Sequence, residues 1–182
     1  MTGSSFKGVI VPVLTPLNQD ETVDIRSLRR LIGYLLENGV HGIWASGTTG
    51  EFASLPDKER ITSIETVVDE VAGRVPVIAN ISQAGTHMTK VLAQAIRHSG
   101  VDGIAATPPY YYPNAEDEII DHYRYINESI ELPLWVYNIP QTVKTAVSPG
   151  AVAKLAEEGT VVGIKDSSGS GELLSELNVL CE

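Results

Sequence analysis

The chain has 182 residues, a formal net charge of −10 and one cysteine, with 43% hydrophobic and 20% charged residues. This composition is typical of a globular protein and excludes collagen, low-complexity disorder and a disulfide scaffold. A sequence isoelectric point near 4.8 and the lack of a basic cluster argue against nucleic acid as a partner. The first apolar stretch, Val9–Leu14, is too short to span a membrane and too poorly flanked by basic residues for a signal peptide. With a single cysteine, we therefore expect a cytoplasmic protein that does not bind membranes.

Six short apolar runs recur along the chain, and each predicts a buried strand because it is continuous rather than alternating. One helix between them is predicted to begin after an N-cap at Asp24 and to stop at Gly39. Another is predicted to open at Ser148 and Pro149 and to close at Gly159. The predicted strands are Gly8–Leu14, Gly42–Ala45, Val75–Ile81, Gly103–Ala106, Pro133–Tyr137 and Val161–Ile164.

The junction from helix to strand is repeated almost letter for letter, as G-V-H-G-I from Gly39 and G-V-D-G-I from Gly100. The copies lie two strand–helix units apart, so one unit is about 30 residues, the size of a βα repeat. This alternation predicts an α/β protein with a parallel sheet and right-handed crossovers. A doubly wound sheet of about six strands matches the length, whereas a (β/α)₈ barrel matches the regularity but typically needs about 250 residues. The pattern alone slightly favours the open sheet.

Functional side chains of both architectures follow the carboxyl ends of the strands, where Lys165 and Tyr137 are found. Lys165 either reaches solvent or pairs with Asp166, or it is a partly desolvated amine. A neutral amine of that kind is a nucleophile that forms a Schiff base with a carbonyl. Tyr137 is either a core residue or a proton carrier beside the lysine.

Two loops contain further candidate binding residues. Gly47–Gly50 follows the second predicted strand, where its amides and two threonine hydroxyls would bind an anion such as a carboxylate. It lacks the residues of a nucleotide-binding loop, and such a turn is also a common strand–helix connection. Tyr110–Tyr112, flanked by prolines, is predicted to line a site or contact another subunit, or simply to pack its own loop. The four histidines show no metal-ligand spacing.

Four strand ends together resemble the dihydrodipicolinate synthase/N-acetylneuraminate lyase family. They read G-T-T-G-E from Gly47, P-Y-Y-Y from Pro109, Y-N-I-P from Tyr137 and G-I-K-D-S-S-G from Gly163. The similarity runs from Phe6 to the last residue, in the order and near the spacing of the family. It implies a (β/α)₈ TIM barrel, of which this chain would cover about the first six units as a single partial domain, residues 1–182. It also implies a pyruvate-dependent class I aldolase or lyase.

The resemblance assigns roles to particular residues. It implies that the substrates are a 2-oxo acid, pyruvate, and an aldehyde, with no metal or organic cofactor, and that the protein is a homo-oligomer, a dimer or tetramer. The carboxylate of pyruvate would bind at Thr48, Thr49 and Gly50. The implied catalytic residues are Lys165 as the Schiff-base lysine, Tyr137 as the proton shuttle, Thr48 in the proton relay, and Tyr111, which completes the relay in the adjacent subunit.

Subfamily signals conflict. Usual dihydrodipicolinate synthases carry an arginine five residues beyond the Y-N-V-P tyrosine, where this chain has Thr142, and the nearest cation is Lys144. The segments P-Y-Y-Y-P, H-Y-R from His122 and Y-N-I-P from Tyr137 are more similar to sialic acid lyases, and K-D-S-S-G to 2-keto-3-deoxy-sugar-acid aldolases. The partner of pyruvate therefore stays open among aspartate semialdehyde, as in 4-hydroxy-tetrahydrodipicolinate synthase, and the aldehydes of the two sugar-acid classes.

Against eight units of about 30 residues, the chain is two units short of a barrel. Strands at Val9 and Val161 would then be exposed apolar edges, and the chain closes on an apolar stripe of Leu173, Leu174, Leu177 and Leu180. We expect either a truncated form of a longer protein or a gap that another subunit closes. The alternative to an active lyase is a non-catalytic fragment or pseudoenzyme of the same family.

Overall fold

A computed structural model describes residues 6–181, which form two compact units. The first contains residues 6–80 and 95–103, and the second contains residues 81–94 and 104–181. Strands and helices alternate along these residues. The strands are β1 (Ile10–Pro12), β2 (Gly42–Ala45), β3 (Val77–Asn80), β4 (Gly103–Ala106), β5 (Leu134–Asn138) and β6 (Gly163–Asp166). The helices are α1 (Ile25–Glu37), α2 (Asp57–Val71), α3 (Thr86–Ile96), α4 (Glu116–Asn127), α5 (Pro140–Val143), α6 (Pro149–Glu157) and α7 (Glu172–Leu180).

In the first unit, β1, β2 and β3 pair in chain order, and both pairings are parallel. Helix α1 packs against α2, and the core between the elements is apolar, with fully buried Leu28, Ile32 and Ile64. The predicted ends of α1 are confirmed. A carboxylate oxygen of Asp24 accepts from the amide of Ser27 at 3.0 Å, which satisfies one of the free donors at the helix start.

In the second unit, β4, β5 and β6 also pair in parallel and in chain order. The register places Trp135 beside Gly163, and the indole ring covers the glycine so closely that a Cβ there would lie 2.5 Å from a ring carbon. Helix α6 packs against α7. It begins as predicted, because the Ser148 hydroxyl accepts from the amide of Ala151 at 3.1 Å and Pro149 is its first residue.

The sixth strand lies further along the chain than the sequence predicts. The apolar run predicts a strand at Val161–Ile164, but the strand extends from Gly163 to Asp166, so Lys165 lies inside it rather than after it. The strand continues this far because Asp166 pairs with Asn138 of β5. Beside the two expected strand edges, Val9 is 61% and Val162 is 58% exposed, whereas Val161 is buried.

The four leucines of the predicted apolar stripe all lie in α7, but only two of them are buried. Leu173 and Leu177 are buried, whereas Leu174 and Leu180 are exposed. The last residue of the predicted segment, Glu182, lies outside the described residues. Among residues 6–181, every helix is too short or too polar to cross a bilayer.

Candidate active site

The second unit places Lys165 and Tyr137 side by side on neighbouring strands. The two residues are register partners of β6 and β5, so their side chains extend from the same face of the sheet. The Lys165 Nζ lies 3.8 Å from the centroid of the Tyr137 ring. It also donates a hydrogen bond to the Ser167 hydroxyl at 2.9 Å. Tyr137 is buried and Lys165 is half-buried, so the amine lies between protein core and solvent.

Hydrogen bonds of Asp166, the residue after Lys165, hold β5 and β6 in register. The Asn138 amide nitrogen donates to a carboxylate oxygen of Asp166 at 2.8 Å, and the Ser168 hydroxyl donates to the other oxygen at 2.7 Å. Burial acts to raise the pKa of Asp166, but these hydrogen bonds and the charge of Lys165 outweigh burial and hold the pKa below its ordinary value. Asp166 is therefore ionised at neutral pH and links β5 to the loop after β6.

In the first unit, the segment Gly47–Gly50 forms a closed turn directly after β2. The Gly50 amide donates to the Gly47 carbonyl at 3.0 Å, so that amide is engaged inside the turn. The side chains of Thr48 and Thr49 are exposed. Gly50 also packs closely against the segment that follows β1, because a Cβ at this position would lie 3.0 Å from both the Thr15 hydroxyl and the Val13 carbonyl. The turn thus offers two hydroxyls, and its last glycine is required for close packing.

A buried polar cluster lies behind this turn. The Arg60 side chain of α2 is 1% exposed, and its Nε donates to the Ser46 hydroxyl at 3.2 Å. Its second guanidinium nitrogen donates to the Asn80 carbonyl at 2.9 Å, and the Asn80 amide donates to the Ser46 carbonyl at 2.9 Å. The cluster connects the carboxyl ends of β2 and β3 to helix α2.

Tyr111, the remaining predicted catalytic residue, lies on an exposed loop of the second unit. Its side chain is 81% exposed, its φ is 89°, and its ring meets the Tyr112 ring edge-on at 5.0 Å between centroids. The loop borders an open pocket of about 530 Å³. The pocket is lined by Tyr110, Tyr111, Tyr112, Thr142, Val143 and Lys144. The lining includes Thr142, which stands where usual dihydrodipicolinate synthases carry an arginine, and Lys144, the nearest cation.

One histidine is built into the second unit as a neutral structural residue. His122 is buried, and its Nε2 lies 3.2 Å from the Thr107 carbonyl. A carbonyl only accepts, so Nε2 carries the hydrogen and Nδ1 accepts from the Thr86 hydroxyl at 2.8 Å. Burial lowers the pKa of His122 to about 4. Within residues 6–181, no group of three or more His, Cys, Asp or Glu side chains could hold a metal ion.

Within each unit, the structure brings together some of the predicted residues. Lys165 and Tyr137 are in contact in the second unit, and Thr48, Thr49 and Gly50 share one turn of the first unit. Sequence reasoning did not assign functional roles to Ser167, Asn138, Asp166, Arg60 and Ser46. For Ser167 a signal existed, because a hydroxyl two residues after a lysine at a strand end lies on the same face.

Comparison with known proteins gives a consistent result. The family model described as the dihydrodipicolinate synthetase family matches residues 5–182. The 4-hydroxy-tetrahydrodipicolinate synthase of Pelobacter propionicus is 38% identical over 176 residues, which is 97% of this chain and 60% of that protein. The chain thus spans about 60% of the length of the curated relatives it matches.

Solved structures match over the same part. The chloride-inhibited dihydrodipicolinate synthase of Acinetobacter baumannii in complex with pyruvate has a TM-score of 0.90 and 33% identity, over 97% of this chain and 62% of that one. YagE, a prophage protein of the dihydrodipicolinic acid synthase family from E. coli K12 in complex with pyruvate, has a TM-score of 0.93 and 31% identity, over 98% and 60%. These matches confirm the expected fold class, an α/β chain of the (β/α)₈ type that covers about the first six units.

Proposed function

Because the chain belongs to the dihydrodipicolinate synthetase family, we propose that the protein is a Schiff-base-forming lyase. It joins pyruvate to an aldehyde or cleaves the corresponding aldol product. The observation that carries the proposal is the contact of the Lys165 amine with the Tyr137 ring, 3.8 Å from its centroid, on paired strand ends. The choice of pyruvate is supported by the two related proteins that were solved in complex with it.

The proposed chemistry proceeds on the Lys165 nitrogen. The neutral amine attacks the keto carbon of pyruvate, and the resulting carbinolamine loses water to give a protonated imine. This cation withdraws electrons, so the methyl carbon loses a proton and becomes the nucleophilic end of an enamine. The enamine carbon then attacks the aldehyde carbon, the new alkoxide takes up a proton, and water releases the product from Lys165. Because the imine is the electron sink, the proposal needs neither a metal nor an organic cofactor.

The other residues have supporting roles in the proposal. The Tyr137 hydroxyl carries protons to and from the carbinolamine and the aldol oxygen, and Thr48 relays them. The turn that contains Thr49 and Gly50 binds the pyruvate carboxylate. Tyr111 completes the relay in the adjacent subunit of a homo-oligomer, a role that its 81% exposure permits. As the single cysteine indicates, we propose that the enzyme acts in the cytoplasm.

Reductive trapping tests the proposal. Incubation with pyruvate and borohydride should add one carboxyethyl group per chain, and peptide mapping should find it on Lys165. Lys165→Ala should abolish the adduct, because no amine is left at that position. Lys154→Ala, which removes a lysine from helix α6 of the same unit, should leave the adduct unchanged. A folded protein that acquires no adduct contradicts the proposal.

The identity of the aldehyde requires a second measurement. The curated relatives are named 4-hydroxy-tetrahydrodipicolinate synthase, which favours aspartate semialdehyde, whereas Thr142 in place of an arginine favours a sugar-derived aldehyde. Turnover with pyruvate and each aldehyde class in parallel separates the two. If Lys165 is trapped but no aldehyde is turned over, the protein is a pseudoenzyme that retains only the pyruvate site.

A further inference from the structure

Arg60 is a buried charged residue that the proposed chemistry does not use. Arginine is almost never fully buried unless it is paired, yet this side chain of α2 is 1% exposed. Its guanidinium carbon lies 5.2 Å from the centroid of the Phe52 ring, and a carboxylate oxygen of Asp57 is 3.7 Å from one of its nitrogens. Asp57 itself is half exposed. The ion pair therefore joins a half-exposed carboxylate to a guanidinium that lies in the interior.

The Arg60 guanidinium is hydrogen-bonded to Ser46, a strained residue that directly precedes the G-T-T-G turn. Ser46 has a φ of 54°, in the left-handed region that residues other than glycine rarely occupy. Such a conformation persists only where the surroundings determine it. Here Arg60 Nε holds the Ser46 hydroxyl at 3.2 Å and Asn80 holds the Ser46 carbonyl at 2.9 Å. Because Ser46 directly precedes Gly47, its conformation sets the direction in which the turn leaves β2.

We infer that Arg60 is a positioning residue that orients the G-T-T-G turn for the carboxylate of the 2-oxo acid. The contact with Ser46 fixes the backbone from which Thr48 and Thr49 project. The buried charge, one hydrogen bond from the turn, also attracts an anion that binds there. This inference rests on the proposed function, because it presumes that the turn binds a carboxylate.

The test uses the pyruvate concentration that gives half-maximal borohydride trapping on Lys165, beside the maximal extent of trapping. Arg60→Met, which loses both the charge and the hydrogen bonds, should raise that concentration about tenfold, and Arg60→Lys, which keeps the charge but not the planar fork, about threefold. Both variants should reach a near-normal maximum at saturating pyruvate, because Lys165 is unaltered. Lys58→Met removes a charge from an exposed position of the same helix and should leave the concentration unchanged.

A second probe separates carboxylate binding from general damage. Methyl pyruvate has the same reactive ketone without the negative charge, so its half-maximal concentration should be nearly the same in Arg60→Met, Arg60→Lys and the unaltered protein. If Arg60→Met does not fold, Arg60→Lys and Ser46→Ala provide the test, and Ser46→Ala should also weaken pyruvate selectively. Equal losses for pyruvate and methyl pyruvate, or a lower melting temperature with unchanged pyruvate dependence, would overturn the inference. Failure of the unaltered protein to be trapped at all refutes the proposed function instead.

Discussion

The two groups of candidate site residues, one in each unit, are built in opposite ways. At the ends of β5 and β6, Tyr137 and Lys165 lie inside regular strands, and their contact follows from the strand register. After β2, the G-T-T-G turn leaves the sheet through Ser46, whose left-handed backbone is held from behind by Arg60. One part relies on regular pairing, whereas the other relies on a strained residue and a buried charge.

Under the proposed function, this difference corresponds to what each group of residues has to do. A nucleophile and a proton carrier must be held at a fixed distance, and paired strands fix it because register partners extend from the same face. An anion-binding turn must present backbone and hydroxyl groups, which requires the chain to leave the strand direction. A change in the register should therefore damage the chemistry, while a change behind the turn should weaken substrate binding.

Among changes at the paired strands β5 and β6, removal of the Tyr137 hydroxyl should have the largest effect on turnover. Tyr137→Phe keeps the aromatic ring beside the Lys165 amine but removes the hydroxyl that we propose carries protons, so turnover with pyruvate and an aldehyde should fall about a hundredfold or more. Imine trapping at long incubation should still reach completion, since the nucleophile remains. The variant is assayed for steady-state turnover and for the rate and extent of trapping. Unchanged turnover would show that Tyr137 serves only as packing for the lysine.

Gly163→Ala should disturb the register itself. The new Cβ would lie 2.5 Å from the Trp135 ring, so either the ring or β6 must shift. We expect a loss of about 1–3 kcal/mol in the free energy of unfolding, measured by denaturant titration, together with slower trapping on Lys165. Gly150→Ala in α6 is the matched control, because its Cβ would meet only the Ser148 hydroxyl at 3.9 Å. If Gly163→Ala is as stable as this control, the packing of Trp135 does not fix the register.

The sequence predicts the positions of Lys165 and Tyr137 on their strands much better than it predicts what holds the G-T-T-G turn. Continuous apolar runs locate the strands, and the residues at the strand ends already single out Lys165 and Tyr137. Helix ends also depend on residues that are close in sequence, and the caps at Asp24 and Ser148 are therefore as predicted. These features depend on neighbouring residues, so the one-dimensional pattern contains them.

The residues that hold the turn in place are far apart in sequence, so the pattern of neighbouring residues does not reveal them. Arg60 lies in the charged run D-K-E-R at the start of α2, which is typical of a solvated helix face. Its partners are 14 and 20 residues away in sequence, at Ser46 and Asn80. The predicted end of β6 is wrong for a similar reason, because the pairing of Asp166 with Asn138 spans 28 residues.

The two units also differ in how their buried polar side chains respond to acid. Arg60 keeps its charge at any accessible pH, whereas His122 of α4 must stay neutral to accept from Thr86 and donate to the Thr107 carbonyl. The unfolded chain takes up a proton near pH 6.5, but burial lowers the pKa of His122 in the folded protein to about 4. The unfolded state therefore binds more protons between these values, and stability must fall as the pH decreases through this window.

The contribution of His122 should be fully present above pH 6.5. Between pH 7.5 and pH 5 it should remove about 2 kcal/mol from the free energy of unfolding, measured by denaturant titration at each pH. His122→Gln, which keeps a hydrogen-bond donor but does not titrate, should be less stable at pH 7.5 and lose less on acidification. His98→Gln, which replaces an exposed histidine, should retain the full acid sensitivity. If His122→Gln and the unaltered protein lose the same free energy, the acid response arises from other groups, and the contrast between a permanently charged support in one unit and a titrating support in the other is wrong.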